Sequence, residues 1–272
     1  MFSKITVTIY LMLLSIIASE KIKIPETELT INYIKYGSSG KTILLLTGTL
    51  CCIQMAHLDS QLNFFGKENT IIQMDLPGFG DSLPRKRDYS SNFYETDADI
   101  VVKFMEALNI GEYLLMGFGY GANVALYVAA KDIKKIKKVV VWGGKAKITE
   151  EVLTKADKLR DPQNWTQDVL KVMKQIYEET YIEEVANKYA DGLLRLKNEF
   201  GEEFFKDKLN FIEASTLVLH GSSDDHVSME HAVYIAKNVK GRTEVIKNGT
   251  HDLQEAEEFN SIVAHFLLEE HS

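Results

Sequence analysis

The sequence predicts a doubly wound α/β fold, a mostly parallel sheet of about eight strands with helices on both faces and an inserted helical cap. Three observations predict it. Short, continuous apolar runs recur along the chain, the pattern of strands buried on both faces. Helix-period segments separate them. One long stretch, residues 147–208, interrupts this alternation: it is rich in Glu, Lys and Tyr, has helical periodicity and contains no buried strand. A chain of 272 residues, 45% of them hydrophobic, can bury the core such a fold needs. The expected organisation is a leader over residues 1–19, a core built from 20–146 and 209–272, and a cap over 147–208.

In chain order, MFSKITVTIYLMLLSIIASEKIK opens with Lys4, runs largely apolar and uncharged over residues 5–17, and closes on Ala18 and Ser19 before Glu20 and Lys21. That is the build of a cleaved secretory signal. The run is shorter than the roughly 20 apolar residues of a membrane span, so no stable span is expected. Secretion is the expected destination; a mitochondrial presequence is the alternative, and the absence of Arg from the segment stands against it. ELTINYIKYG alternates like a half-buried strand, while KTILLLTG, NTIIQMD, EYLLMGF, KKVVVWGG and STLVLHG are fully buried runs, and EVIKNGT adds a last strand-like segment. Helical patterns cover residues 95–108, 120–130, 229–239 and 255–268.

The charge balance, 31 Lys and Arg against 39 Asp and Glu, gives −8 and no basic field for a phosphate backbone, so nucleic acid is not an expected partner. Cys51 and Cys52, the only cysteines, are adjacent and cannot close a loop within a monomer, the expected state. They are expected to be small packing residues. Asn164 in NWT and Asn248 in NGT are glycan acceptors only if the chain enters the secretory pathway.

The stretch LLMGFGYGANVAL has the strand-turn-helix context of a G-x-S-x-G nucleophile turn, with Gly119 at the centre where that motif has serine. A dinucleotide fingerprint is disfavoured, because G-x-G-x-G here lacks the third glycine of G-x-G-x-x-G and lies far from the first strand. In LVLHGSSDDHV a buried strand presents Asp224 and Asp225 at its carboxyl edge, where an acid can orient a histidine or, more plainly, cap a helix near Ser228. EVIKNGTHDL places His251 before the final helix. His57, His226 and His231 have no comparable context. DLPGFGDS suits a rigid turn, and its Ser82 is an improbable replacement nucleophile. The loop after LLLTG offers the Thr49 N–H, and the turn offers the Tyr120 N–H, as the two donors of an oxyanion hole.

The order and spacing of the TG turn, DLPGFGDS, the Gly117-to-Gly121 turn, VVVWGG, LVLHGSSD and HDL identify the chain as resembling the α/β-hydrolase superfamily and, within it, the valacyclovir hydrolase-like (biphenyl hydrolase-like) family. The resemblance covers nearly the whole chain after the leader. It implies hydrolysis of esters and amides, α-amino acid esters included, by a Ser-Asp-His triad without cofactor or metal, with Asp224 as acid and His251 as base. The family turn is G-W-S-D-G-G, and this chain has GFGYGA: Gly119 stands for the nucleophile, and Tyr120 stands for the acidic neighbour that holds a substrate amino group. Phe118 and Tyr120 are the expected substrate-binding side chains. The two departures together point to a noncatalytic member binding a small hydrophobic or ester-like ligand, or a protein partner. A weak hydrolase using a His251-activated water is the alternative.

Overall fold

The computed structural model describes residues 18–269, so the expected leader lies, apart from Ala18 and Ser19, outside the described residues. Eight strands occur among them: β1 (Glu20–Lys23), β2 (Thr30–Tyr36), β3 (Thr42–Leu46), β4 (Thr70–Met74), β5 (Tyr113–Phe118), β6 (Ile136–Trp142), β7 (Ser215–Gly221) and β8 (Gly241–Ile246). They form one sheet in the order β1-β2-β4-β3-β5-β6-β7-β8. β2 pairs antiparallel with both β1 and β4, and the other five pairings are parallel. The helices are α1 (Asp59–Phe65), α2 (Phe93–Ala107), α3 (Tyr120–Lys131), α4 (Glu150–Lys158), α5 (Gln167–Ile176), α6 (Glu179–Phe200), α7 (Lys206–Leu209), α8 (Met229–Asn238) and α9 (Phe259–Leu268). None of the described helices is long and apolar enough to cross a membrane.

The continuous apolar runs have a direct cause. Successive strand residues point to opposite faces, and both faces are covered. Ile43 and Leu45 pack with α1 and α9 residues such as Phe65 and Phe259, while Leu44 and Leu46 pack with α2 and α3 residues such as Phe104 and Leu126. β2 departs from the alternation its sequence suggests: Ile31, Asn32, Tyr33 and Ile34 are all buried. Asn32 is tolerated inside because its Nδ2 donates to Asp75 Oδ2 at 2.8 Å. β1 has no counterpart among the apolar runs; its EKIK is mostly exposed and gains order by pairing with β2.

The order places β4 on one side of β3 and β5 on the other, so the chain reverses direction across the sheet at β3. Ligands of doubly wound sheets sit in the crevice beyond the strands' carboxyl ends at such a reversal. Here that crevice is flanked by the loop after β3, which carries Thr49, and by the turn after β5, which carries Gly119. Register brings the other strand ends alongside, with Phe118 opposite Trp142 and Trp142 opposite Leu219.

Helices α4 to α7 fill the interval between β6 and β7. Thr149 and Thr166 cap α4 and α5, each accepting from the backbone N–H three residues on. The Ile182, Val185, Tyr189 and Leu193 side of α6 is buried in the same core cluster as α2 and α3. Lys155 of α4 ties this layer to the sheet, donating to Asp225 O at 2.7 Å and His226 O at 3.1 Å.

Candidate functional site

The turn between β5 and α3 is tight because glycines let backbones touch. A Cβ on Gly117 would lie 2.5 Å from Gly121 O, and one on Gly121 would lie 2.5 Å from Leu46 O. At the apex Gly119 has φ 55° and ψ −115°, a conformation costly for an L side chain. Its N–H donates to Trp142 O at 2.9 Å. A Cβ at Gly119 would meet only Gly48 Cα at 3.4 Å and Thr49 N at 3.8 Å, so the apex has room for a small side chain despite its strained backbone. Tyr120 is the first helical residue of α3, and an N–H at that position has no intrahelical acceptor. The two backbone donors expected from the sequence thus flank Gly119.

Asp224 and His251 come together from the loops after β7 and β8. Asp224 Oδ2 faces His251 Nδ1 at 3.0 Å, and Oδ1 accepts from His226 N at 2.8 Å and Val227 N at 2.9 Å. Burial opposes ionisation of this 3%-exposed side chain. The His251 hydrogen bond and charge and the two backbone N–H groups outweigh it and hold the carboxyl down at about 2. Phe118 sits 5.1 Å from the His251 ring. The close backbone at Gly143, where a Cβ would lie 2.8 Å from His251 Cε1, leaves the ring little freedom.

His226 joins the site although its sequence context gave no sign of it. Its ring stacks on His251 at 4.8 Å and 21°, and its Nδ1 meets Asp225 Oδ1 at 2.7 Å. The cause is the turn closed by Asp224 Oδ1, which folds residue 226 back over the histidine. Asp224, His226 and His251 offer ligand atoms within 4.8 Å of one another. Two backbone N–H groups already occupy Asp224 Oδ1, however, and His251 Nδ1 faces Oδ2. His231 is structural: its buried Nδ1 accepts from Ala146 N at 3.1 Å, and burial, with Lys145 nearby, lowers it to about 4.

A cavity of about 470 Å³ opens above these residues, within the range of small-ligand sites, roughly 300–1,000 Å³. Thr49, His226 and His251 line its floor; Leu159, Trp165, Val169 and Met173 of the α4–α5 layer line its apolar roof. Asn164 also lines it and donates from Nδ2 to Lys158 O.

Two expectations need correction. The Tyr120 side chain does not reach this cavity: it is 2% exposed, and its hydroxyl donates to Asp97 Oδ2 at 2.7 Å and accepts from Arg87 at 2.6 Å. A buried Arg87–Asp97 ion pair, with Arg87 also bonded to Pro77 O, draws the phenol inward. Nothing in PRKRDY signalled that pair. Phe118 likewise does not line the cavity; its ring stacks on Trp142 and supports His251 from the side.

The remaining nucleophile candidates are occupied or suppressed. Ser82 is fully buried, its Oγ donating to Asp75 O and accepting from Asn32 N. Burial pushes the Cys52 thiol up to about 12 and raises Cys51 well above its ordinary value, which disfavours the thiolate needed for attack.

The alpha/beta hydrolase fold family matches residues 46–184. The serine hydrolase BPHL of Mus musculus is 31% identical over 240 residues, covering 87% of this chain and 82% of that protein. Its Homo sapiens counterpart is 30% identical over 248 residues, covering 90% and 85%. Among solved structures, the 2-hydroxy-6-oxo-6-phenylhexa-2,4-dienoate hydrolase of Rhodococcus sp. strain RHA1 superposes with a TM-score of 0.71 over 92% of this chain and 98% of that one, a likeness of fold at 16% identity. A family match across half the chain and relatives near 30% identity across most of it lead to one assignment: the chain belongs to the α/β-hydrolase fold family.

Proposed function

We propose that this chain is a noncatalytic member of the family, a binder of a small, largely apolar ligand in the cavity above Asp224 and His251, with Gly119 standing where a serine hydrolase has its nucleophile. The observation that carries the reading is the conformation of Gly119: a residue at the apex of a strand-to-helix turn, at positive φ, between two backbone donors, with no side chain to attack a carbonyl. Without that hydroxyl no acyl-enzyme forms, and loss of a triad nucleophile costs about 10⁶ in turnover. The Asp224–His251 pair then persists as hydrogen-bonded structure. The decisive experiment compares the natural chain with Gly119→Ser on p-nitrophenyl and amino acid esters. Turnover by the variant alone supports the reading, and equal turnover by the natural chain overturns it.

A second reading has one observation in its favour. A Cβ at Gly119 would meet, beyond its chain neighbours, only Gly48 and Thr49, and His251 lines the cavity, so on this reading a water held between the two would use His251 as general base. On that reading the natural chain hydrolyses esters slowly and His251→Ala abolishes the activity.

We also take the chain to be routed to the secretory pathway. A mature chain starting at Glu20 would keep all eight strands, and the intact mass of the exported protein tests this directly.

A further inference from the structure

The polar lining of the cavity is unevenly charged. Three lysines line it, Lys145, Lys155 and Lys158, against a single carboxylate, Asp225. That carboxylate is 86% exposed and already engaged by His226 Nδ1. Lys155 is also engaged, by Glu151 and two loop carbonyls. Lys145 differs. It sits on the half-buried loop directly after β6, two residues past the Gly143 backbone that abuts His251. Its backbone is fixed on both sides by the Asn123 side chain, yet its ammonium has no carboxylate or hydrogen-bond acceptor among the described residues. A cation lining a largely apolar cavity is a counter-charge for an anionic ligand. Trp165, Val169, Met173 and Leu193 supply apolar lining to the same cavity.

Resting on the binder reading above, we propose that the cavity takes an amphiphilic carboxylate, its head against Lys145 and its hydrocarbon chain along Trp165, Val169 and Met173. A cationic head, such as an α-amino ester presents, would meet three lysines and no uncommitted acid.

Both tryptophans are buried and hydrogen-bonded, but Trp165 lines the cavity and Trp142 does not, so Trp165 fluorescence reports occupancy. Titrations of the natural chain with decanoate, decanol and decyltrimethylammonium are expected to show saturable decanoate binding at least about tenfold tighter than decanol, a step of about 1.4 kcal/mol, and no binding of the cation. Lys145→Met and Lys145→Gln, each checked for an unchanged melting temperature, should lose that advantage while leaving decanol within about twofold; Lys145→Arg should restore it. Equal affinity for decanoate and decanol, preference for the cation, or full decanoate affinity in both neutral Lys145 variants overturns the proposal. The parent reading fails differently: if the natural chain hydrolyses p-nitrophenyl decanoate, it is not a pure binder, whatever its headgroup preference. If Gly119→Ser alone hydrolyses that ester while decanoate ignores Lys145, the binder reading stands and the carboxylate proposal falls.

Discussion

Two carboxylate pairs lie beside the Gly119 turn, and they are built differently. Asp224 faces His251 from a loop, and the pair opens onto the cavity, with His251 20% exposed. Asp97 faces Arg87 inside the protein, and both side chains are closed to solvent. The first pair can exchange protons with a ligand; the second can only hold structure. The difference teaches where the turn's own side chain went: Tyr120 follows the buried pair inward, leaving the open pair opposite a bare glycine.

The largest effect expected from this contrast is on chemistry. Gly119→Ser places a hydroxyl on the side of the open pair and should raise ester turnover by about 10³-fold or more, measured as initial rates with p-nitrophenyl acetate. Adding His251→Ala to that variant should remove the gain. Retention of the rate without His251 would show that the open pair takes no part.

The next effect is on stability and belongs to the closed pair. Asp97→Ala leaves the Arg87 guanidinium buried without its counter-ion, which typically costs about 3–5 kcal/mol. Urea midpoints should show it. His251→Ala removes a partly exposed partner and should cost far less. If the two substitutions cost the same, the division between a structural pair and an open one is wrong.

Acid should find a third site. His231 is held neutral, lowered to about 4 from 6.5 mainly by burial. Between those values the unfolded chain binds the proton and the folded chain does not, so stability rises with pH through the window and is lost as pH falls from about 6.5 to 4. The full contribution is on the order of 3 kcal/mol. His231→Asn, which can still accept from Ala146 N, should flatten the melting temperature over that range. Asp224 has the same sign at lower pH: its contribution is present above 3.8 and is lost as pH falls through about 2.

Much of this architecture was legible in the sequence because burial on both faces leaves a one-letter trace. KTILLL, EYLLMGF and STLVLHG became β3, β5 and β7. The acid and histidine could be proposed because strand ends are marked by glycine and turn residues, which put Asp224 and His251 on the same edge. β1 escaped because a short edge strand needs no apolar run: EKIK is held by pairing with β2, by Ile22 against the core and by the Tyr33 hydroxyl on Glu20. α1 escaped for a related reason: seven residues give too few turns to establish a period. Tyr120 was misplaced for a different cause. Its backbone position follows from the turn, but its side-chain direction depends on Arg87 and Asp97, 33 and 23 residues away in the chain, and no local pattern encodes that.

The smallest effect tests that last point. In Tyr120→Phe the ring can keep its packing against Tyr94 and Phe93, while Asp97 loses one donor and Arg87 one acceptor. Each remains bonded to the other, so neither is left bare, and the cost should be about 1.5–3 kcal/mol, the range for a hydrogen bond to a charged group. The ring lies outside the cavity, so decanoate affinity should stay unchanged while the urea midpoint falls. If affinity falls and stability holds, the phenol faces the ligand after all, and the inward direction of Tyr120 is refuted.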